Sequence, residues 1–237
     1  LHDALTRPYP AYETIGLRDP DGGYRQLTTT LLQIENEFYS TIRPKRVIQS
    51  GERPLHALRE RGVEYVEVRL MDLDPFEPVG IQARTMRFLD VFLLHCLLSA
   101  SPTDTPQEIA ALGRNQQAVA QRGREPGLRL ERGERSVALA DWAAELLADM
   151  LPIAQRLDQV QGDTLNAQAV AHASQSLVLL DGLPSARVLQ TVQQEYAGAY
   201  VGFVKAQSAR IRQSMLDMPI DAGVQADGPG EKLELVL

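Results

Sequence analysis

Glu67 and Arg69 stand two residues apart in the stretch Glu64-Tyr65-Val66-Glu67-Val68-Arg69. An extended chain turns alternate side chains to opposite faces. Tyr65, Glu67 and Arg69 therefore share one face, and Val66, Val68 and Leu70 share the other, which is expected to pack on the helices. A carboxylate beside a guanidinium can hold a divalent cation and an anionic oxygen side by side. Glutamate is a hard oxygen ligand for Mg²⁺, and arginine is a planar fork for phosphate or carboxylate. An ion pair on a half-exposed strand accounts for the same two residues from pattern alone. The run Ile42-Arg43-Pro44-Lys45-Arg46 adds three positive charges in four residues. Phosphate is the natural guest of such a cluster, and a solvated charge run is the plainer account. Just upstream, Glu35-Asn36-Glu37-Phe38-Tyr39 brings carboxylates and a phenol to the same strand end, or else a surface strand with an aromatic anchor.

Other segments carry less. Asp72-Leu73-Asp74 with Glu77 has the look of a metal loop, but it lacks calcium-loop spacing, and Pro75 and Pro78 favour a turn. Gly228-Pro229-Gly230-Glu231-Lys232 lacks the glycine spacing, the Ser or Thr and the following helix of a phosphate loop. His95 and Cys96 fall in an apolar helical pattern and read as a partly buried imidazole beside a core thiol. Trp142 and the stripe Tyr196, Tyr200, Phe203 read as core.

The elements that must position these residues divide at about residue 80. Residues 1–25 read as loop-rich, punctuated by Pro8, Pro10, Pro20 and Asp21-Gly22-Gly23. A segment from Leu27 becomes β-prone towards its end and is expected to stop at Pro44. Pro54 opens a short helix that closes at Gly62, and Val63 to Leu70 reads as the best strand. Beyond residue 80, apolar spacing predicts helices over 82–100, 106–121, 141–160, 165–179 and one long helix over 184–216. Between the second and third, two alternating runs about Arg132-Gly133-Glu134 predict a small hairpin. The expected organisation is a sheet region over residues 1–80, a mainly helical region over 81–218 and a loose tail over 219–237. The fold class is α+β.

Composition narrows the partners. In 237 residues, 24 Lys and Arg face 31 Asp and Glu, giving a formal charge of −7. That argues against a general nucleic-acid or anionic-membrane binder. The single cysteine rules out an intrachain disulfide framework and fits the cytoplasm. Val91-Phe92-Leu93-Leu94, the most apolar run, is far shorter than a bilayer span. The sequence opens on Leu1 with no initiator Met and reads as a piece of something longer.

Taken in order, IENEFYSTIRPKRV, SGERPLHALRERGVEYVEVRLMDLDPFEPVGI and RFLDVFLL closely resemble the central part of the proteobacterial glutamate–cysteine ligases. There the region reads as ENE-x-Y-x-x-IRPKR, an SGE link, G-x-EY-x-EVR and D-x-[ND]-PF-x-P-x-G. Gly123-Arg124, Pro126-Gly127-Leu128 and Pro184-Ser185-Ala186-Arg187 echo the family later in the chain. The resemblance implies part of a glutamine-synthetase-like antiparallel sheet, and ATP-dependent joining of the γ-carboxylate of L-glutamate to the amine of L-cysteine through γ-glutamyl phosphate, with Mg²⁺ neutralising phosphate charge. This is the first step of glutathione synthesis. By motif position, Glu67 looks like a Mg²⁺ ligand, Arg69 like the arginine that steadies the transferring phosphate, and Tyr39 like the tyrosine of the cysteine pocket. Arg43 and Lys45 lie in the matching IRPK segment, as phosphate contacts. The family's upstream G-x-E-x-E motif has no counterpart here, so the chain looks like the C-terminal half, inactive as a ligase without an N-terminal partner segment. The rival reading is a non-catalytic, mostly helical binding or scaffold module.

Overall fold

Prolines and glycines set the element boundaries around the charged strand. Pro54 begins helix α3 (Pro54–Arg61), where a missing N–H costs nothing. Gly62, at φ 73°, ends it and donates its N–H to Leu58 O. The computed structural model describes residues 2–37 and 39–219. They fall in two compact units, Leu1–Asp72 and Leu73–Leu237.

The first unit holds α1 (His2–Thr6), α2 (Pro10–Ile15), β1 (Ile42–Lys45), α3 and β2 (Tyr65–Val68). Residues 1–25 are thus less loop-like than their prolines predict, because Pro10 sits at the first turn of α2, where it starts a helix. β1 and β2 pair antiparallel with Arg43 opposite Glu67 and Lys45 opposite Tyr65. Beyond the strand ends, Arg69 N–H donates to Thr41 O and Glu64 N–H to Lys45 O, each at 2.9 Å. The carbonyls of Thr41 and Lys45 therefore face β2, and alternation turns the backbone groups of Ile42 and Pro44 outward. Pro44 was expected to stop the strand; it lies inside β1 instead, because its missing N–H falls on the outer edge and breaks no ladder bond. β2 is shorter than the predicted 63–70, and Val66 is 41% exposed rather than packed away. Ala57 on α3 is fully buried. Arg61, at the end of α3, grips Glu52 at 2.7 and 2.8 Å and donates to Val47 O.

The second unit is mainly helical: α4 (Ala83–Leu98), α5 (Pro106–Arg122), the hairpin β3 (Arg129–Arg132) and β4 (Arg135–Ala138), α6 (Leu139–Gln161), α7 (Leu165–Ser176), α8 (Pro184–Tyr196) and α9 (Tyr200–Leu216). Its core joins Val91 of α4, Leu147, Met150 and Ala154 of α6, and Val170 of α7. Burial of each larger side chain among them contributes roughly 1.5–3 kcal/mol. Buried Asp158 near the end of α6 accepts the Asn166 and Ala167 N–H groups at 2.9 Å, satisfying orphan donors in the first turn of α7. Burial opposes its charge, but these bonds and the Asn166 amide hold its carboxyl below the usual range.

The single long helix expected over 184–216 is two. Ala197 turns to φ 49° and Gly198 to φ 83°, which ends α8 and lets α9 leave in a new direction. Of the predicted aromatic core stripe only Phe203 is buried, and Tyr200 is 60% exposed. Cys96 lies exposed rather than in the core, because the buried side of α4 runs through Val91. The acidic stretch after β2 is a turn: Asp74 Oδ1 accepts the Phe76 N–H at 3.0 Å, and Asp74 N–H reaches Gly80 O. The tail beyond residue 219, with Gly228 to Lys232, lies outside the described residues. The architecture is α+β, with two small antiparallel ribbons among helices.

Candidate functional site

The β1–β2 register decides which side chains meet. Residues opposite one another in an antiparallel pair lie on the same face. Arg43 and Lys45 of β1 therefore share a face with Tyr65 and Glu67 of β2, and Arg69 continues that face opposite Thr41. Glu67 is the centre of the group. Its Oε1 accepts from Arg69 Nε at 2.9 Å, with Nη2 also at 2.9 Å, and its Oε2 faces the Lys45 ammonium at 3.3 Å. Arg43 lies across the ladder from Glu67, and its guanidinium carbon stands 4.3 Å from the centroid of the Tyr39 ring. The five residues singled out from sequence thus fall into two contacts, Arg69–Glu67–Lys45 and Arg43–Tyr39, joined through the backbone pairing of Arg43 with Glu67.

With three cations and one carboxylate, these residues make the face net positive, and two of the cations, Arg69 and Lys45, sit at the carboxylate itself. The Arg69 hydrogen bond pulls the Glu67 carboxyl below the ordinary glutamate range, partial burial pulls the other way, and Lys45 adds to the lowering. Glu67 is therefore ionised at neutral pH and acts as an acceptor only. The side chains of Glu67 and Lys45 are each 34% exposed, so the group is open enough to receive a ligand and sheltered enough to stay ordered. A strand face of this kind can bind phosphate or carboxylate oxygens through Lys45 and Arg69 and offer Glu67 to a cation at the same point.

The acidic residues upstream do not join this group. Glu35 Oε2 accepts the Leu55 N–H at 3.0 Å at the start of α3, and Glu37 Oε2 accepts the Gln33 N–H at 2.6 Å. Both carboxylates satisfy backbone donors. A cavity of about 390 Å³ beside Glu35 is lined by Arg53, His56 and Glu60, and another of about 590 Å³ lies between α6 and α7. Neither is lined by the ribbon. Among the described residues no group of three or more His, Cys, Asp or Glu is placed to hold a metal ion.

The motifs on this ribbon have close counterparts. A sequence profile of the glutamate–cysteine ligases matches residues 1–119. The glutamate–cysteine ligase of Alcanivorax borkumensis is 41% identical over 238 residues, covering 99% of this chain and 44% of that protein. The chain belongs to the glutamate–cysteine ligase family. A second relative, the glutamate–cysteine ligase of Janthinobacterium sp., is 50% identical over 193 residues, 81% of this chain and 36% of its own length. A crystal structure of the glutamate–cysteine ligase of Francisella tularensis in complex with AMP superposes with a TM-score of 0.77 at 35% identity. It covers 94% of this chain, and 44% of its own chain is matched. The chain thus spans less than half the length of the glutamate–cysteine ligases it matches.

Within this glutamate–cysteine ligase segment, sequence reasoning missed two features. The Arg43–Tyr39 contact joins residues four apart, a spacing that means a shared face in a helix or a strand, but here irregular backbone before β1 brings the two together. The Glu52–Arg61 clamp fixes the segment between the two strands of the ribbon, and only the opposite charges hint at it.

Proposed function

We propose that this chain supplies one part of a glutamate–cysteine ligase active site, with the β1–β2 ribbon as its phosphate and cysteine side. The observation that supports it is the convergence of Glu67, Arg69, Lys45 and Arg43 on one ribbon face, with the ring of Tyr39 against Arg43. In the reaction, a γ-carboxylate oxygen of L-glutamate attacks the terminal phosphorus of ATP and ADP leaves. The amine of L-cysteine then attacks the acyl carbon of γ-glutamyl phosphate, inorganic phosphate leaves, and the amine proton passes to solvent. Arg69 steadies the transferring phosphoryl group, whose charge spreads over its oxygens as the bonds change. Lys45 adds positive charge for the phosphates, and Tyr39, with Arg43 beside its ring, lines the cysteine subsite. These steps belong in the cytoplasm, a reducing compartment that the single cysteine of the chain fits.

Mg²⁺ fits this face at one corner only. The donor set is a single carboxylate, Glu67, already balanced by Arg69 and Lys45. One carboxylate with phosphate oxygens and water is an accepted Mg²⁺ environment. Glu67 would hold such an ion, which, when bound, neutralises phosphate charge. The rest of the glutamate and metal shell must come from a second segment, so the 237-residue chain is inactive by itself.

The test is ATP-dependent formation of γ-glutamylcysteine by the purified chain, alone and mixed with the separately expressed segment of a full-length relative that this chain does not cover. Activity only on mixing is the expected result. Turnover by the chain alone would refute the division of the site, and no activity in either arm would count against the ligase reading.

A further inference from the structure

We infer that Arg43 is the positioning residue for Tyr39: held in the ladder opposite Glu67, its guanidinium fixes the tyrosine ring over the cysteine subsite, an inference that rests on the ligase reading of the ribbon. Tyr39 needs such help. It is 74% exposed and lies in irregular backbone before β1. An exposed tyrosine exchanges freely among its rotamers. A ring that must meet one face of a small amino acid loses binding in proportion to the time it spends elsewhere.

Arg43 has the opposite character. Its backbone lies within β1, paired to Glu67, so its Cα cannot drift without breaking the ribbon. Its guanidinium carbon is 4.3 Å from the Tyr39 centroid, well inside the range of cation–π attraction. The remaining charges are committed differently: Arg69 holds Glu67 Oε1 and Lys45 faces Oε2. The two cations of the Arg43-Pro44-Lys45 strand therefore divide their work. Lys45 serves the carboxylate that faces phosphate and metal, and Arg43 serves the ring that faces the amino acid. Arginine suits the second task, because a flat guanidinium stacks on a ring face where a compact ammonium makes a weaker, less directional contact. At an exposed site the attraction biases the ring by roughly two- to five-fold.

Two measurements decide it. In the 237-residue chain with ring-labelled tyrosine, the Tyr39 resonance, assigned through Tyr39→Phe, moves towards its unfolded position in Arg43→Met and part of the way in Arg43→Lys. An unmoved resonance in Arg43→Met overturns the proposal. In the mixed ligase assay, Arg43→Met raises KM for cysteine about two- to five-fold, leaves KM for ATP within error, and is partly rescued by Arg43→Lys. A rise confined to ATP would make Arg43 a phosphate ligand and overturn it equally. Should the unsubstituted mixture form no γ-glutamylcysteine, the ligase reading fails, while the ring resonance still judges the Arg43–Tyr39 contact.

Discussion

Removing the ring of Phe203 tests how the turn that follows β2 is anchored in the helical unit. Phe203 is 1% exposed and meets Phe76, Tyr196 and Tyr200 at centroid distances of 5.9, 5.9 and 6.2 Å. Phe76 comes from the Asp74–Gly80 turn, and the Arg187 guanidinium carbon lies over its ring at 4.1 Å from the centroid. Phe203→Ala deletes a fully buried ring, which costs about 3–5 kcal/mol. Phe203→Leu keeps most of the apolar volume and loses the ring geometry, of which the edge-on contact with Tyr196 is the best oriented; its cost is about 1–2 kcal/mol. In a domain of this size each kcal/mol lowers Tm by roughly 2–4 °C. The expected falls are thus about 6–20 °C for Phe203→Ala and about 2–8 °C for Phe203→Leu, read by far-ultraviolet circular dichroism and by urea unfolding with an unchanged slope. A cycle with Phe76→Leu should show a coupling of about 0.5–1.5 kcal/mol. A fall below about 1 kcal/mol for Phe203→Ala, or an additive cycle, would mean that the turn is not held by this ring.

Four further outcomes follow from the ribbon and the helix break. Because Arg69 and then Lys45 lower the Glu67 pKa, their contribution to stability is complete above the ordinary glutamate pKa and is lost as pH falls through the lowered one; a carbon-13 titration should place Glu67 below a free glutamate, and Arg69→Gln should raise it, so an unmoved midpoint sinks the ion-pair account. In the mixed ligase assay Arg69→Ala lowers kcat by about 10²–10³-fold with a smaller effect on KM for ATP, whereas Tyr39→Ala raises KM for cysteine more than that for ATP; equal effects of Tyr39→Ala on both substrates would point to a collapsed strand instead. Ala197→Gly relieves a left-handed alanine at φ 49°, and after the entropy of the unfolded glycine is set against it the gain is about 0.5–1 kcal/mol; a lower melting temperature would refute the strain.

The elements that were legible in the sequence are those whose signal is local. Pro54 and Gly62 bracket α3, and the hairpin of β3 and β4 turns where Arg132-Gly133-Glu134 predicts. Pro44 misled because a proline stops a strand only if its N–H faces the partner, and facing depends on register, which is set by a segment more than twenty residues away. Ala197 misled for the converse reason. Nothing in an alanine announces a left-handed turn; only Gly198 beside it hints that the helix breaks there. At the site, residue types and the family motifs picked out Glu67, Arg69, Lys45, Arg43 and Tyr39. Which cation would serve which partner was not readable, since it follows from pairing across the ladder. The sequence brings the Glu35 carboxylate only to the strand end; that it accepts a backbone N–H at the start of α3 was not readable, because its partner Leu55 lies twenty residues away.

The outward-facing backbone of Pro44 gives this ribbon a direction of growth. A strand approaching β1 from outside would find no donor at the middle of its edge. The outer edge of β2 carries the N–H and C=O groups of Val66 and Val68, intact and open to a neighbour. Val66 is also among the exposed apolar side chains, so an incoming strand gains burial as well as hydrogen bonds there. Any wider sheet must then be assembled on the side of Glu67 and Arg69 rather than on that of Arg43 and Lys45. A single missing hydrogen thus decides on which flank of the charged residues the neighbouring strand is laid down.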